Sequence, residues 1–177
     1  VLFRSHGHVP AGMRAMDAID AGYDEITHLN FLAMQAMPDA VVNASNGFAR
    51  FEGPGKYARG IDWDAPPMSG LIARMAREHI VSDPTLVIFE FILATEAGEM
   101  PLALAPYRGT LPPLTERQFL SGGFAPTAGE TRETYRQSFR ALHALLGKLH
   151  TAGVPIVAGT DGSGLELVRE LELYVEA

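Results

Sequence analysis

Three side chains of ligand or acid–base type occupy comparable positions in the chain: His8 in VLFRSHGHVP, His28 in DEITHLN and Asp161 in VPIVAGTD. Each falls at or just after the C-terminal end of a candidate strand. His8 and His28 are 20 residues apart, about one helix plus one strand, which puts them on neighbouring strands facing the same mouth. Asp161 enters from a third strand further round. Imidazole nitrogen and carboxylate oxygen suit zinc and related divalent ions, and an ion so held makes water acidic enough to attack at neutral pH. Hydrolysis is the natural reaction class for such a set. The chain has no cysteine, so thiolate zinc sites, disulfides and cysteine nucleophiles drop out, and any metal must be held by His, Asp or Glu.

The elements that position these residues follow from periodicity. PAGMRAMDAIDAGYDEITHLN reads as a helix with Met13, Met16, Ile19 and Tyr23 on one stripe, a stop at Gly22, and then a strand. A second unit pairs the amphipathic MSGLIARMAREHI with VSDPTLVIFEFIL, whose β-branched and aromatic content predicts a strand. The apolar window TLVIFEFILA, with Glu90 at its centre, is too short to span a bilayer and is expected to be a buried strand. ETRETYRQSFRALHALLGKLHTAG is a strong helix with Gly153 as its stop, VPIVAGTD a short buried strand, and GLELVRELELYVEA a final helix. Residues 33–67 and 95–130 lack sustained periodicity and are expected to be long loops. Helix–strand alternation with continuous apolar strands indicates an α/β fold, a parallel sheet covered by helices, as a (β/α)8 barrel or an open doubly wound sheet. In a barrel, the C-terminal rim is where sites are built.

The stretches GHVPAGMRAMDAIDAGYDEITHLN and HTAGVPIVAGTDGSGLELVRELELYVEA resemble the amidohydrolase superfamily, in particular its imidazolonepropionase-like and Xaa-Pro-dipeptidase-like branch. The resemblance is good over residues 6–32 and 145–177, and between them rests on Pro84–Leu86 of strand seven. It implies a partial (β/α)8 TIM barrel of about strands five to eight. His8 would be the fifth-strand metal ligand, His28 the sixth-strand ligand, and Asp161 the eighth-strand residue that binds metal and moves the proton of the attacking water. The implied cofactor is Zn2+, one or two divalent ions in an intact parent, and the implied substrate a small molecule or short peptide cleaved at a C–N bond. The resemblance also implies that a first-strand HxH pair and a bridging residue lie elsewhere, which leaves this site incomplete and the isolated chain inactive.

Other readings stand beside these. His6-Gly7-His8 could itself be the first-strand pair, but only about three αβ units fit between His8 and Asp161, so His6 is read as a neighbour. Asp161 in GTDGSG could instead cap the next helix. His79, His143 and His150 lie in helical patterns and read as packing or surface residues. Gly53-Pro54-Gly55 and Gly122-Gly123 lack a phosphate-loop context and read as turns, and Ser163 has no nucleophile-elbow context. Asn30, Phe31, Tyr107 and Arg108 could reach the mouth, with loop packing the preferred reading. The rival functions are a barrel of other metal chemistry, such as a phosphoester hydrolase or lyase, and a noncatalytic binding or structural domain.

The 177 residues suffice for one domain with a real core, and 47% hydrophobic content excludes disorder. A net charge of −7 without a basic cluster argues against nucleic acid as a partner, and no stretch suggests a membrane span. Residues 1–177 are treated as one partial barrel domain. VLFRS matches a translated sequencing adapter, so residues 1–5 are expected to be foreign, and LELVRELELYVEA stops inside a helical pattern without a capping Gly or Pro, as a piece of a longer protein would. Half a barrel exposes strand edges and apolar surface, so association into a homo-oligomer is expected.

Overall fold

The computed structural model describes residues 4–177; the expectation that residues 1–5 are foreign falls largely outside them. In chain order the elements are β1 (His6–Gly7), α1 (Ala15–Asp20), β2 (Glu25–Thr27), α2 (Leu29–Ala33), α3 (Asp39–Asn43), α4 (Ala49–Tyr57), α5 (Met68–Glu78), β3 (Val81–Asp83), α6 (Leu86–Ala94), α7 (Pro113–Phe119), α8 (Arg132–Thr151) and α9 (Leu167–Glu176). Short 3-10 turns join several of them. None of these helices is long and apolar enough to cross a membrane.

The three strands form one parallel sheet in the order β1-β2-β3, with His6 opposite Glu25 and Thr27 opposite Asp83. A single further parallel bridge joins Ser82 to Ile156, so VPIVAGTD contributes one paired residue and not the full strand expected. Parallel pairing forces each return through a helix-bearing crossover. Between β1 and β2 that helix is α1, whose Ala15, Ala18 and Ile19 are buried. Between β2 and β3 the crossover is longer and ends in α5, which buries Met68, Leu71, Ile72 and Met75 on one stripe. Along β2 and β3 only the central residues, Ile26 and Ser82, are fully buried, while their neighbours are half-buried. One face of the sheet is thus packed and the other partly open.

Three expectations require correction. The run TLVIFEFILA is not a strand: β3 stops at Asp83, Pro84 follows it, and Leu86–Ala94 form helix α6. β-branched and aromatic content was the wrong guide because a helix walled by apolar groups on most sides has the same composition. Residues 33–67 are largely helical, and 95–130 contain a 3-10 segment and α7. Gly53-Pro54-Gly55 lies inside α4 and not in a turn. There the glycines serve close packing: a Cβ at Gly55 would sit 2.7 Å from Cζ of Tyr135, the buried residue of α8 against which α4 rests. α8 forms where the sequence predicts a helix, and its start is capped by the Thr131 hydroxyl accepting from Thr134 N–H and the Thr134 hydroxyl accepting from Thr131 N–H.

The start of α6 depends on a residue far away in sequence. Glu170 of α9, fully buried, accepts hydrogen bonds from Leu86 N–H at 2.8 Å and Val87 N–H at 2.6 Å. These are two of the first-turn donors that a helix leaves without intrahelical partners, and a carboxylate is favoured there by the helix dipole. The bond therefore terminates α6 and anchors α9 together. Glu170→Ala should strand both buried donors and lower stability by ~2–4 kcal/mol, with Glu170→Gln, which keeps one acceptor oxygen, losing about half as much. Urea denaturation followed by circular dichroism measures both; an alanine variant as stable as the parent chain would refute the cap.

Candidate functional site

The C-terminal ends of β1 and β2 deliver His8 and His28 to one rim. Their Nε2 atoms lie 2.8 Å apart and their ring centroids 4.6 Å apart, with Phe31 of α2 packed against both rings. Asp161, on the turn after Ile156, brings Oδ2 to 3.7 Å from His28 Nε2. The three residues singled out from the sequence are therefore neighbours. His6 is not among them: its side chain is 69% exposed and lies 3.9 Å from Glu25.

The backbone here is unusual. Among the described residues four non-glycine residues have positive φ, namely His28 (68°), His79 (56°), Thr85 (45°) and Asp161 (49°), and all but His79 belong to this rim. Such conformations are costly for side chains with a Cβ, most of all for β-branched threonine, and concentrate at functional sites. Surrounding bonds hold them in place. His28 N–H donates to Asp83 O at 2.7 Å, and Leu29 N–H to Pro84 O at 3.1 Å, which extends the β2–β3 pairing beyond the strand ends. Gly159 allows the approach of the Asp161 turn, since a Cβ at that position would lie 2.5 Å from Asp83 Oδ1.

Thr85 Oγ1 stands 2.6 Å from His28 Nδ1 and 2.8 Å from Pro84 O, so Thr85 ties one side of the His28 ring while its Nε2 faces His8 and Asp161. Burial, opposed by the Asp161 carboxylate and reinforced by His8 and Arg50, lowers the His28 pKa to about 4, so the ring is neutral at pH 7. A neutral, oriented imidazole whose other nitrogen is tied to a hydrogen-bond partner is the form that binds metal. Asp83, at the end of β3, is raised by burial and by the Glu25 and Asp161 carboxylates, and its Oδ1 has no hydrogen-bond partner.

The donor set fits a divalent ion in part. Two ligand nitrogens of one tetrahedral zinc stand ~3.4 Å apart, somewhat wider than His8 and His28, and the exposed His8 ring has room to swing outward. Among the described residues no group of three or more His, Asp or Glu side chains has the disposition of a metal cage. The arrangement is two imidazoles and one more distant carboxylate, which is less than the four ligands, or three with an open position, typical of zinc sites.

Sequence reasoning gave Asn30 and Phe31 only a secondary place and missed Thr85 and Arg50. Asn30, 1% exposed, donates through Nδ2 to Arg50 O at 2.7 Å, while its Oδ1 has no partner. It shares a recess of ≈10 Å³ with His28, Arg50, Thr85, Ile88 and Asp161. The signal for Thr85 was its place directly after Pro84, but only the fold reveals that its hydroxyl meets His28. Comparison of the chain with protein-family models, curated proteins and solved structures gave no match.

Because His28 titrates lower in the folded chain than its ordinary 6.5, the unfolded chain binds the extra proton between pH 6.5 and about 4. The His28 contribution to stability is complete above pH 6.5 and declines as pH falls through that window. Urea midpoints measured with a chelator present, from pH 7 to 4.5, should fall more steeply for the parent chain than for His28→Gln. Parallel profiles would contradict the assignment of a neutral, buried His28.

Proposed function

We propose that this chain carries part of the site of a metal-dependent hydrolase that breaks C–N bonds, on a partial (β/α)8 barrel of amidohydrolase type. The observation that carries the reading is the convergence of His8, His28 and Asp161 at one rim of a parallel sheet. Their order and surroundings in the sequence are those of the resemblance described above. The strained backbone at two of the three residues, and at Thr85 beside them, adds weight because such strain is retained where it serves a site.

In this reading His8 and His28 donate Nε2 to a divalent ion, zinc being best suited to the ligand types, and Asp161 lies beside it. Bound there, the ion supplies Lewis acidity toward a carbonyl and toward water. Thr85 ties the His28 ring through Nδ1. Asp161 accepts the proton released as water adds to the amide carbon, then returns it to the departing nitrogen as the C–N bond breaks. Its open position, 61% exposed, leaves the carboxylate accessible to a substrate. Substrates are amides, cyclic amides or short peptides. By resemblance, further ligands lie on strands that precede β1, so turnover belongs to a longer parent and the isolated chain binds metal weakly.

Zinc titration against a chromophoric chelator tests the ligand set. His8→Ala and His28→Ala should each abolish the uptake shown by the parent chain, and Thr85→Val should weaken it by about 10- to 100-fold. Zinc uptake unchanged in all three variants would leave the histidines incidental, as in a noncatalytic domain. In a parent carrying the preceding strands, hydrolysis of amides in preference to esters and phosphotriesters separates this proposal from other metal chemistries. Turnover that survives Asp161→Asn would remove the proposed proton carrier.

A further inference from the structure

Helix α6 is apolar on almost every side, yet only part of it packs in the core. Leu86, Val87, Phe89, Ile92 and Leu93 are buried in the core, and Val87 together with the half-buried Ile88, Phe91 and Ala94 lines a cavity of ≈950 Å³. The opposite wall is the 3-10 segment Leu102–Tyr107, and Phe119 of α7 closes one side by edge-on contact with Phe91 at 6.3 Å between centroids. The cavity is at the upper end of the roughly 300–1,000 Å³ typical of small-molecule sites. Water against walls this apolar is unfavourable, which favours an apolar occupant.

This cavity adjoins the rim already described. Ile88 lines both the cavity and the recess that holds His28, Asn30 and Asp161. Gly162 and Ser163, the two residues after Asp161, also form part of its wall. Most charged groups around it are engaged: Glu90 pairs with Arg169 at 2.8 Å, Glu166 accepts from Ser163 Oγ at 3.0 Å, and Arg136 lies 3.7 Å from both Glu96 and Glu99, while the exposed Arg108 stands at the lining without an ion-pair partner among the described residues. The interior therefore offers contact area more than polar recognition.

We infer that the cavity along α6 binds the apolar portion of the substrate, a medium-length acyl chain or ring system, and presents the attached amide past Ile88 to His28 and Asp161. The role of that portion as part of a substrate rests on the hydrolase reading; the cavity's preference for an apolar ligand does not. The chain would thus favour amides with a bulky apolar acyl group over small polar ones. Specificity of this kind comes from buried methylene groups, each contributing about 0.8 kcal/mol on transfer from water.

Isothermal titration of the metal-stripped full chain with octananilide and acetanilide tests the inference without any turnover. Octananilide should bind at least about 100-fold more tightly, since it adds six methylenes to the same anilide. Ala94→Phe fills the cavity from the α6 side and should weaken octananilide by about tenfold or more. Leu102→Asp, at a position 62% exposed, places a charge on the opposite wall and should do the same without disturbing the core. Circular dichroism melts establish that each variant is folded. Equal affinity for the two anilides, or full octananilide affinity in a folded Ala94→Phe and Leu102→Asp, would overturn the inference. So would a dimer, detected by sedimentation, that octananilide fails to dissociate and that Leu102→Asp abolishes, because a second copy would then occupy the cavity. Zinc uptake measured on the same samples separates the two readings: uptake left unchanged by His8→Ala and His28→Ala, with octananilide selectivity retained, counts against the hydrolase and supports the apolar site.

Discussion

Parallel hydrogen bonding between His6–Gly7, Glu25–Thr27 and Val81–Asp83 is the constraint on which the remaining architecture depends. Parallel strands run in one direction, so their C-terminal ends align at one edge and whatever follows each strand is delivered to the same side. His8 follows β1, His28 follows β2, and Pro84 and Thr85 follow β3. The same pairing requires helical crossovers, and these supply the buried stripes of α1 and α5 that cover one face of the sheet. Sheet, helices and rim are consequences of one geometric choice.

The rim is stiffened by contacts from the far end of the chain. Glu170 on α9 satisfies the first donors of α6, and Arg169 beside it reaches Glu90 in the middle of the same helix. α6 begins immediately after Thr85, whose hydroxyl hydrogen-bonds His28 Nδ1. The orientation of one imidazole is thereby linked, through Thr85 and the start of α6, to a carboxylate on the last helix. Such a chain of supports suits a position where His28, Thr85 and Asp161 all adopt backbone angles unfavourable to their side chains.

Charge and polarity around the rim are graded. His8 and Asp161 are exposed, His28 is 9% exposed, and Asn30 is 1% exposed with an unpaired Oδ1. Moving inward from the rim, water gives way to polar groups held by backbone bonds, and beyond Ile88 to the apolar wall of α6. A polar recess beside a large apolar cavity describes the setting for an amphiphilic ligand better than for a nucleic acid. The net charge of −7 points the same way.

Periodicity and local signals determined much of this on their own. The stripe in MSGLIARMAREHI, the long helix α8 and the strand before His28 are set by interactions within a few residues, and the sequence displays them directly. His8 and His28 were legible because their spacing matches one helix plus one strand, and Asp161 because it ends the short apolar run VPIVAGTD. What the sequence could not decide was whether VIFEFILA would be strand or helix, since an apolar run suits either; Glu170, supplying acceptors from the opposite end of the chain, goes with the helical outcome. Nor could it disclose that Thr85 meets His28, that Gly55 yields space to Tyr135, or that Ile88 joins the recess to the cavity. These depend on which distant segments pack together, and only the tertiary structure brings them within bonding distance.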